Sequence, residues 1–340
     1  MLTEFDAGAG PRGTRGVLMR TVLLRVTLAI TASAALVVTA FAAPAGAKVP
    51  GPNGRIAFAR FDQTLGDFVT YTANPDGSHQ RQLFFSGPSG SPRWSPDGSQ
   101  VSIGTGCTDG TETCAATIVD PDSGTFRQFK WPDPTLETDC GIWSSDGQRL
   151  ACEGFGVTDP SRNGIYTIRS SDGGGLTRIT SNPGGDDGPI DYSPDGKQLV
   201  FNRTDPHGPP GNNQALFVVN VDGTGLHRIT PWGFSDGEGS WSPDGTKIGF
   251  EHSGSLFTVH PDGTALAKIP LATSSRNGAG DVSWSPDGKK IAFLLITQRG
   301  PGTDQEGIAT ANADGSDVQQ ATISPTFDHQ PDWGPHPITG

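Results

Sequence analysis

A GxSxG pattern is the first stretch of this sequence whose residue types could support catalysis. It occurs as GFSDG at residues 233–237 and would make Ser235 the nucleophile of a hydrolase. Such a serine stands on a turn between a strand and a helix, with an acid and a histidine brought close by the fold. Here the string lies between HRITPW and EGSWSPDG, so a strand follows it. We therefore predict a loop at this position and no catalytic residue.

Metal-binding spacings are also incomplete. The seven histidines are scattered, and none forms an HxxxH or HExxH pattern. The string DPDSG at residues 120–124 contains part of a calcium loop but lacks the third acid and the terminal glutamate. We interpret it as a turn.

The four cysteines form two local pairs. Cys107 and Cys114 flank the turn-like string TDGTET, and Cys140 and Cys152 flank GIWSSDGQRLA. Each pair would face across a hairpin, so we predict two local disulfides. A zinc site would need CxxC or interleaved histidines, which the sequence lacks.

A repeated string predicts the elements that must position any site. Its complete copies are RWSPDGSQVSI (93–103), IWSSDGQRLAC (142–152), DYSPDGKQLVF (191–201), SWSPDGTKIGF (240–250) and SWSPDGKKIAF (283–293). Residues 51–58 lack the start of the string, and residues 329–335 lack its continuation. The aromatic positions are Trp94, Trp143, Tyr192, Trp241, Trp284 and Trp333, with steps of 49, 49, 49, 43 and 49 residues. A period of this length indicates a repeat architecture.

Each repeat predicts four short antiparallel strands. Ser-Pro-Asp-Gly suits a tight turn after the first strand, and an Asp-Gly turn usually joins the third strand to the fourth. Such units stack as the blades of a propeller, so the fold class is all-β with six blades. We place the units at roughly residues 49–85, 89–130, 138–180, 187–230, 236–270 and 279–323. A closing strand at 328–334 completes the first blade.

The repeated string, the aliphatic third strand and the Asp-Gly turn resemble the TolB-like β-propeller repeat, a relative of WD-type repeats. The resemblance covers about residues 50–335 and implies a fold rather than one activity. Propellers of this type occur in periplasmic proteins that bind partner proteins and in the propeller halves of prolyl-oligopeptidase-like enzymes. TolB itself carries an α/β domain before its propeller, whereas only a signal-like segment precedes Gly51. The resemblance therefore does not predict a role in a Tol system, and no hydrolase domain is expected.

Acidic residues stand three to five positions before most of the repeated aromatics. In a propeller these positions gather around one mouth of the central channel. The predicted ligand-binding rim consists of Asp139, Asp187, Asp236, Glu238, Asp281, Asp328 and His329. It would attract Ca²⁺ or a basic peptide, whereas the alternative is that these acids bond to nearby backbone groups. Trp131, Trp232 and Phe234 lie in loops between blades and could anchor a partner or pack on their own blade.

Residues 1–47 have the composition of an export signal. Four arginines precede the apolar run at residues 26–43, and APAGA then precedes Lys48. We predict cleavage after Ala47, with an uncleaved membrane anchor as the alternative. The sequence does not decide between Met1 and Met19 as the start.

The excess of acidic over basic residues limits the classes of partner that the protein is expected to bind. The chain has a formal net charge of −12, and removal of residues 1–47 would leave 20 basic and 34 acidic groups. Nucleic acid and anionic membranes are therefore not expected as partners. We predict a secreted or extracytoplasmic monomer, without a required cofactor, that binds a protein or peptide at the channel mouth. Ca²⁺ is the one metal considered there. The alternative is a metal-assisted hydrolase or lactonase-like enzyme with a channel-centred site.

Overall fold

The computed structural model describes residues 51–83, 88–105, 114–130, 133–209, 213–233, 239–274, 277–297, 304–324 and 326–339. Within these ranges the chain forms six four-stranded antiparallel sheets and one turn of 3-10 helix at Pro160–Arg162. The predicted six-bladed, all-β propeller is therefore confirmed. No helix in the described part of the chain is long and apolar enough to cross a membrane.

Blade 1 contains the two ends of the described chain. Its strands, from the channel outward, are β24 (Asp328–Trp333), β1 (Ile56–Asp62), β2 (Asp67–Ala73) and β3 (Arg81–Gln82). Blade 2 contains β4 (Ser89–Trp94), β5 (Val101–Thr105), β6 (Cys114–Val119) and β7 (Phe126–Lys130). Blade 3 contains β8 (Leu136–Trp143), β9 (Arg149–Gly156), β10 (Gly164–Arg169) and β11 (Thr177–Arg178).

The other three blades each run through four consecutive strands. Blade 4 contains β12 (Asp186–Tyr192), β13 (Gln198–Thr204), β14 (Gln214–Asn220) and β15 (His227–Arg228). Blade 5 contains β16 (Ser240–Trp241), β17 (Ile248–His252), β18 (Ser255–Val259) and β19 (Ala267–Lys268). Blade 6 contains β20 (Gly278–Trp284), β21 (Lys290–Thr297), β22 (Gln305–Asn312) and β23 (Gln319–Gln320).

The repeated Ser-Pro-Asp-Gly string forms the turn between the first two strands of a blade. In blade 5 the Ser242 hydroxyl donates to Asp244 Oδ1 at 2.7 Å, and the same oxygen accepts from Thr246 N at 3.0 Å. Gly245 N donates to the Ser242 carbonyl, and the glycine has φ +71°. The short acid and the glycine therefore close the hairpin locally, because one satisfies backbone donors and the other adopts a left-handed conformation.

The core lies between neighbouring blades and contains the repeated aromatics. All six of these side chains are buried, with relative exposures between 1 and 6%. They pack with alternating aliphatic residues of the second and third strands. In one cluster Trp241 packs with Ile248 of β17 and Val218 of β14. This burial between blades stabilises the ring, since neither face of a single blade could be covered alone.

Neighbouring blades are also joined by hydrogen bonds around the channel. At four blade junctions the side chain of the residue before a repeated aromatic accepts from the backbone N–H of the next aromatic. Asp332 Oδ2 accepts from Trp94 N at 2.7 Å, and Ser283 Oγ accepts from Trp333 N at 2.9 Å. Blades 6, 1 and 2 are thereby linked in order.

Strand β24 closes the ring. It pairs antiparallel with β1, so that Trp333 lies opposite Ile56 and Asp328 lies opposite Arg60. Beyond it, Gly334 exchanges two backbone hydrogen bonds with Gly54 and Arg55. The predicted closure by a C-terminal strand in the N-terminal blade is confirmed.

One of the two predicted disulfides is present in the described chain. Cys140 and Cys152 form a disulfide between β8 and β9, where they are direct cross-strand neighbours. Cys107 lies outside the described residues, so its pairing with Cys114 stays a prediction. Residues 1–47 also lie outside them, and the export signal likewise stays a prediction.

Candidate binding site at the channel mouth

The innermost strands all begin at one face of the ring, which we call the top face. Close to this face five of them carry a bulge, a shift in register two to four residues before the repeated aromatic. In three consecutive blades the residue three places before the aromatic has a positive φ although it is not glycine. These residues are Asp281 (φ +51°), Gln330 (φ +53°) and Ser91 (φ +44°). A bulge re-aims side chains, and such backbone conformations concentrate at functional sites.

Hydrogen bonds connect these three bulges. Gln330 N donates to Asp281 Oδ2 at 3.1 Å. The Gln330 side-chain oxygen in turn accepts from the Ser91 backbone N–H and hydroxyl, both at 3.0 Å. The Asp281 carboxylate therefore binds a backbone group of the next blade.

A cavity of about 250 Å³ lies at the top of the channel, and we call it the mouth cavity. Its residues come mainly from blades 2, 3 and 4: Ser91, Arg93, Gly104, Asp139, Cys140, Gly141, Ile142, Glu153, Gly188, Pro189, Ile190 and Gln330. Asp139 and Glu153 are direct cross-strand neighbours beside the disulfide. Arg93 lines the same cavity, which therefore contains two acids and one arginine.

Asp187 is on the rim but its carboxylate is turned into the blade. It is 1% exposed and accepts from Arg203 Nε at 2.7 Å and Nη2 at 2.6 Å. The Thr180 hydroxyl and the Asn182 amide donate to the same carboxylate at 2.5 and 3.0 Å. Four donors therefore occupy this group.

Asp328 has the equivalent arrangement in blade 1. It is fully buried and accepts from Arg60 Nε at 2.6 Å and Nη2 at 2.7 Å. The guanidinium also lies over the Tyr71 ring, 4.8 Å from its centroid. Arg203 lies in the same way over Phe217 at 5.4 Å. Both acids thus fix an arginine on an aromatic surface, which is how they shape the top face.

His329 belongs to an aromatic group that we call the blade-1 cluster: Phe61, Phe68, Phe327 and His329. Its ring centroids are separated by 4.8 to 6.0 Å, and Phe327 is 37% exposed. His329 Nε2 also lies 2.7 Å from Glu306 Oε2 of blade 6. The cluster presents an apolar surface with an acid at its edge.

The remaining predicted residues divide into two groups. Trp232 is 39% exposed and packs on its own blade, 5.6 Å from the Phe217 ring and under Arg228 at 5.3 Å. Trp131, Phe234, Ser235, Asp236 and Glu238 lie outside the described residues, so the predictions for them stay predictions.

Sequence reasoning did not identify Arg60, Arg203, Arg93 or Glu153 as parts of the top face. A sequence signal for Arg60 and Arg203 exists. Each stands two residues after the phenylalanine of its second strand, Phe58 or Phe201, and lies directly opposite an acid. Arg93 and Glu153 carry no such signal, since their neighbours depend on the bulges. Within the described ranges no group of three or more His, Cys, Asp or Glu residues is arranged to hold a metal ion.

Comparison with known proteins agrees with this fold. Residues 142–339, more than half of the chain, match the family described as the TolB beta propeller domain. An uncharacterised protein of Agrobacterium fabrum is 33% identical over 121 residues, which are 35% of this chain and 37% of that protein. The chain thus aligns with little more than a third of that relative's length.

Solved structures show the same fold at low sequence identity. TolB from Acinetobacter baumannii superimposes with a TM-score of 0.61 at 21% identity, covering 82% of this chain and 66% of TolB. A putative TolB from Agrobacterium tumefaciens gives a TM-score of 0.54 at 19% identity, covering 82% and 90%. An oligogalacturonate lyase from Vibrio parahaemolyticus gives 0.52 at 15% identity, covering 77% and 73%. The fold therefore occurs both in TolB proteins and in an oligogalacturonate lyase.

Proposed function

Because the chain belongs to the TolB β-propeller domain family, we propose that it is an exported binding protein whose protein or peptide partner docks at the channel mouth. The observation that carries this proposal is the set of linked bulges at Ser91, Asp281 and Gln330. A left-handed conformation costs a non-glycine residue roughly 1–3 kcal/mol, and three such residues border one opening. Positive φ at non-glycine residues also occurs at His79, Ser253, Ala265 and Asp317, so the mouth is distinguished by the hydrogen bonds that link its three bulges across blades.

The chemistry of the top face defines the partner that fits it. Asp139 and Glu153 place two acids side by side in the mouth cavity, and Phe327 exposes part of the blade-1 cluster. Acids attract a basic segment from a distance, while an exposed aromatic group supplies contact area. The proposed partner is therefore a peptide segment with basic and apolar side chains. Export fits the disulfide Cys140–Cys152, since such bonds persist in oxidising compartments.

Affinity capture from a cell-envelope extract tests the proposal. The intact protein is compared with the double variant Asp139→Asn/Glu153→Gln and with Phe327→Ser. Asp314→Asn serves as the control, because Asp314 is an exposed acid in a turn on the opposite face, where its carboxylate accepts from Ser316. Asp187 and Asp328 are unsuitable for this purpose, since they are buried and their loss would unpair the partly buried Arg203 and Arg60.

We expect the intact protein and Asp314→Asn to recover the same basic partner in a salt-sensitive manner. Both mouth variants should recover much less of it. Equal recovery by all four proteins would overturn the proposed site.

The competing prediction of a metal-assisted enzyme is tested on the same proteins. A binding protein without a required metal should melt at the same temperature with and without EDTA. If calcium instead binds stoichiometrically, raises the melting temperature and loses this effect in Asp139→Asn/Glu153→Gln, the enzyme alternative is favoured.

A further inference from the structure

Two residues that differ from the repeated string line one groove on the bottom face, which is the face opposite the top face. Tyr192 is the one repeated aromatic of six that is not tryptophan, and Ser145 replaces the proline of the Ser-Pro-Asp-Gly string. The two residues come from neighbouring blades, 3 and 4, and both line a cavity of about 530 Å³. The corresponding groove between blades 5 and 6 keeps Pro243 and Trp284 and measures about 420 Å³.

The tyrosine carries a polar atom that the fold does not use. Tyr192 is 2% exposed, and its hydroxyl has no hydrogen-bond partner among the residues that the structure describes. Burying a hydroxyl without a partner costs free energy. The indole N–H groups of Trp94 and Trp241, at the same repeated position, also have no partner in the described chain, so Tyr192 is distinguished by the nearby charge of Arg149. Burial raises the pKa of Tyr192, while the charge of Arg149 lowers it and that of Asp146 raises it. The hydroxyl is therefore protonated at neutral pH and lies within electrostatic range of Arg149.

Arg149 offers a second donor in the same groove. Its Nε and Nη2 atoms bond to Thr167 Oγ1 at 2.9 and 2.7 Å, and Nη2 also bonds to the Gly175 carbonyl at 2.7 Å. Nη1 donates to no residue of the described chain, and no carboxylate there lies within ion-pair distance of this guanidinium. The neutral oxygens thus hold the side chain in place without neutralising it.

The acids at the edge of the groove are engaged in their own turns. Asp146 Oδ1 accepts from the Ser144 hydroxyl at 2.6 Å and from Gln148 N at 3.0 Å. Asp195 accepts from Lys197 Nζ at 2.7 Å. Their negative charges disfavour a multiply charged phosphate near Arg149, whereas a singly charged group is repelled less.

We propose that this groove binds a compact carboxylate, accepted by Nη1 of Arg149 together with the Tyr192 hydroxyl. Arginine and carboxylate match in charge and in planar geometry, and the neutral hydroxyl supplies the second donor. The site is separate from the channel mouth and does not depend on the function proposed there. The carboxylate belongs either to a free small acid or to the C-terminus of a peptide.

A matched pair of probes tests the site. N-acetylglycine carries the carboxylate, and N-acetylglycinamide has nearly the same shape without the charge. Binding is followed by ligand-observed NMR and by the melting temperature of the full chain. We expect N-acetylglycine to bind saturably and to raise the melting temperature, and the amide to do neither. Acetyl-Ala-Ala-Gly with a free C-terminus then distinguishes a small acid from a peptide C-terminus as the ligand. A groove that binds peptide C-termini should bind this peptide with an affinity similar to that for N-acetylglycine, whereas a groove for small acids should not.

Three variants distinguish binding from a structural role. Tyr192→Phe removes only the hydroxyl, so we expect the melting temperature without ligand to be unchanged or higher, with binding weakened about threefold or more. Ser145→Pro/Tyr192→Trp restores the repeat and should remain folded without binding. Tyr166→Phe is the control, since that hydroxyl donates to the Arg162 carbonyl at 2.7 Å and its loss should lower the melting temperature.

The proposal is overturned if both probes bind equally or neither binds. It is also overturned if Tyr192→Phe lowers the melting temperature as much as Tyr166→Phe, because the hydroxyl would then serve the fold.

Discussion

Two buried carboxylates on the top face are ion-paired with arginines, and this pairing leaves them unable to bind an external ligand. Asp187 and Asp328 each bind an arginine with both carboxylate oxygens, and the arginines lie on aromatic rings. A buried ion pair adds little net stability because both groups lose water, but removal of one partner leaves a buried charge. The donors to these two acids are side chains rather than the nearby backbone groups expected as the alternative from the sequence, whereas Asp139 lines the mouth cavity.

The substitution Asp187→Asn tests this pairing. It removes the charge that compensates Arg203, so we expect the free energy of unfolding to fall by about 3–5 kcal/mol. Asp195→Asn is the matched control, because its pair with Lys197 is exposed and should contribute below about 1 kcal/mol. Urea denaturation measures both. Equal effects of the two substitutions would contradict the account of Asp187.

An exposed pair gives a prediction for pH. Hydrogen bonds from Arg162 and Thr135 lower the pKa of Asp133 from 3.8 to about 2. A carboxyl whose pKa is depressed by folding stabilises the protein above its unfolded value, and this contribution is lost as the pH falls from 3.8 towards 2. Arg162→Gln should move the NMR titration midpoint of Asp133 upward, towards 3.8. A midpoint that stays near 2 would show that Arg162 is not the main cause.

At the scale of the elements, the two kinds of turn use glycine differently. Gly245, in the turn after a first strand, has φ +71°, and an added Cβ would lie 3.7 Å from the nearest atom, Pro194 Cδ. Gly77, in the turn after a third strand, has φ +82°, and an added Cβ would lie 1.6 Å from the Ala321 carbonyl oxygen of blade 6. The first turn requires glycine only for its left-handed backbone conformation. The second turn also requires the absence of a side chain, because the neighbouring blade lies too close for a Cβ atom.

Alanine at each glycine separates these two requirements. Gly245→Ala should lower the free energy of unfolding by about 1–2 kcal/mol, the cost of a left-handed alanine. Gly77→Ala should cost clearly more, because the backbones of two blades must move apart. Chemical denaturation of both variants provides the comparison, and a Gly77→Ala variant as stable as Gly245→Ala would argue against the close approach.

The elements were predictable from sequence to the extent that their causes are local. Ser-Pro-Asp-Gly contains its own turn chemistry, and alternating aliphatic residues such as Ile248 and Phe250 mark the strand that follows. The bulges at Ser91, Asp281 and Gln330 were not predictable, because their conformation depends on hydrogen bonds between three blades. The acids of the rim could be placed near the mouth, but not their partners: Asp187 and Asp328 bind a cross-strand arginine, whereas Asp281 binds a backbone group of the next blade.

At the scale of the whole molecule, the ring brings together residues that are remote in sequence. Ser91 and Gln330 are hydrogen-bonded because β24 completes the blade that begins with β1. The period of the repeat predicted this closure, since one incomplete unit at each end makes one blade. The groove that contains Tyr192 and Arg149 was not predicted. Its two departures from the repeat lie 47 residues apart in the sequence, and only the packing of blade 3 against blade 4 makes them neighbours.

Thermal unfolding of the protein with residues 328–340 removed tests the closed ring most directly. Removal of β24 exposes the edge of β1 and removes the buried side chain of Trp333. Truncation of a buried tryptophan to alanine alone costs about 3–5 kcal/mol. The account predicts a much lower melting temperature and loss of a single cooperative transition. A shortened chain that unfolds at the same temperature and as cooperatively as the intact one would contradict it.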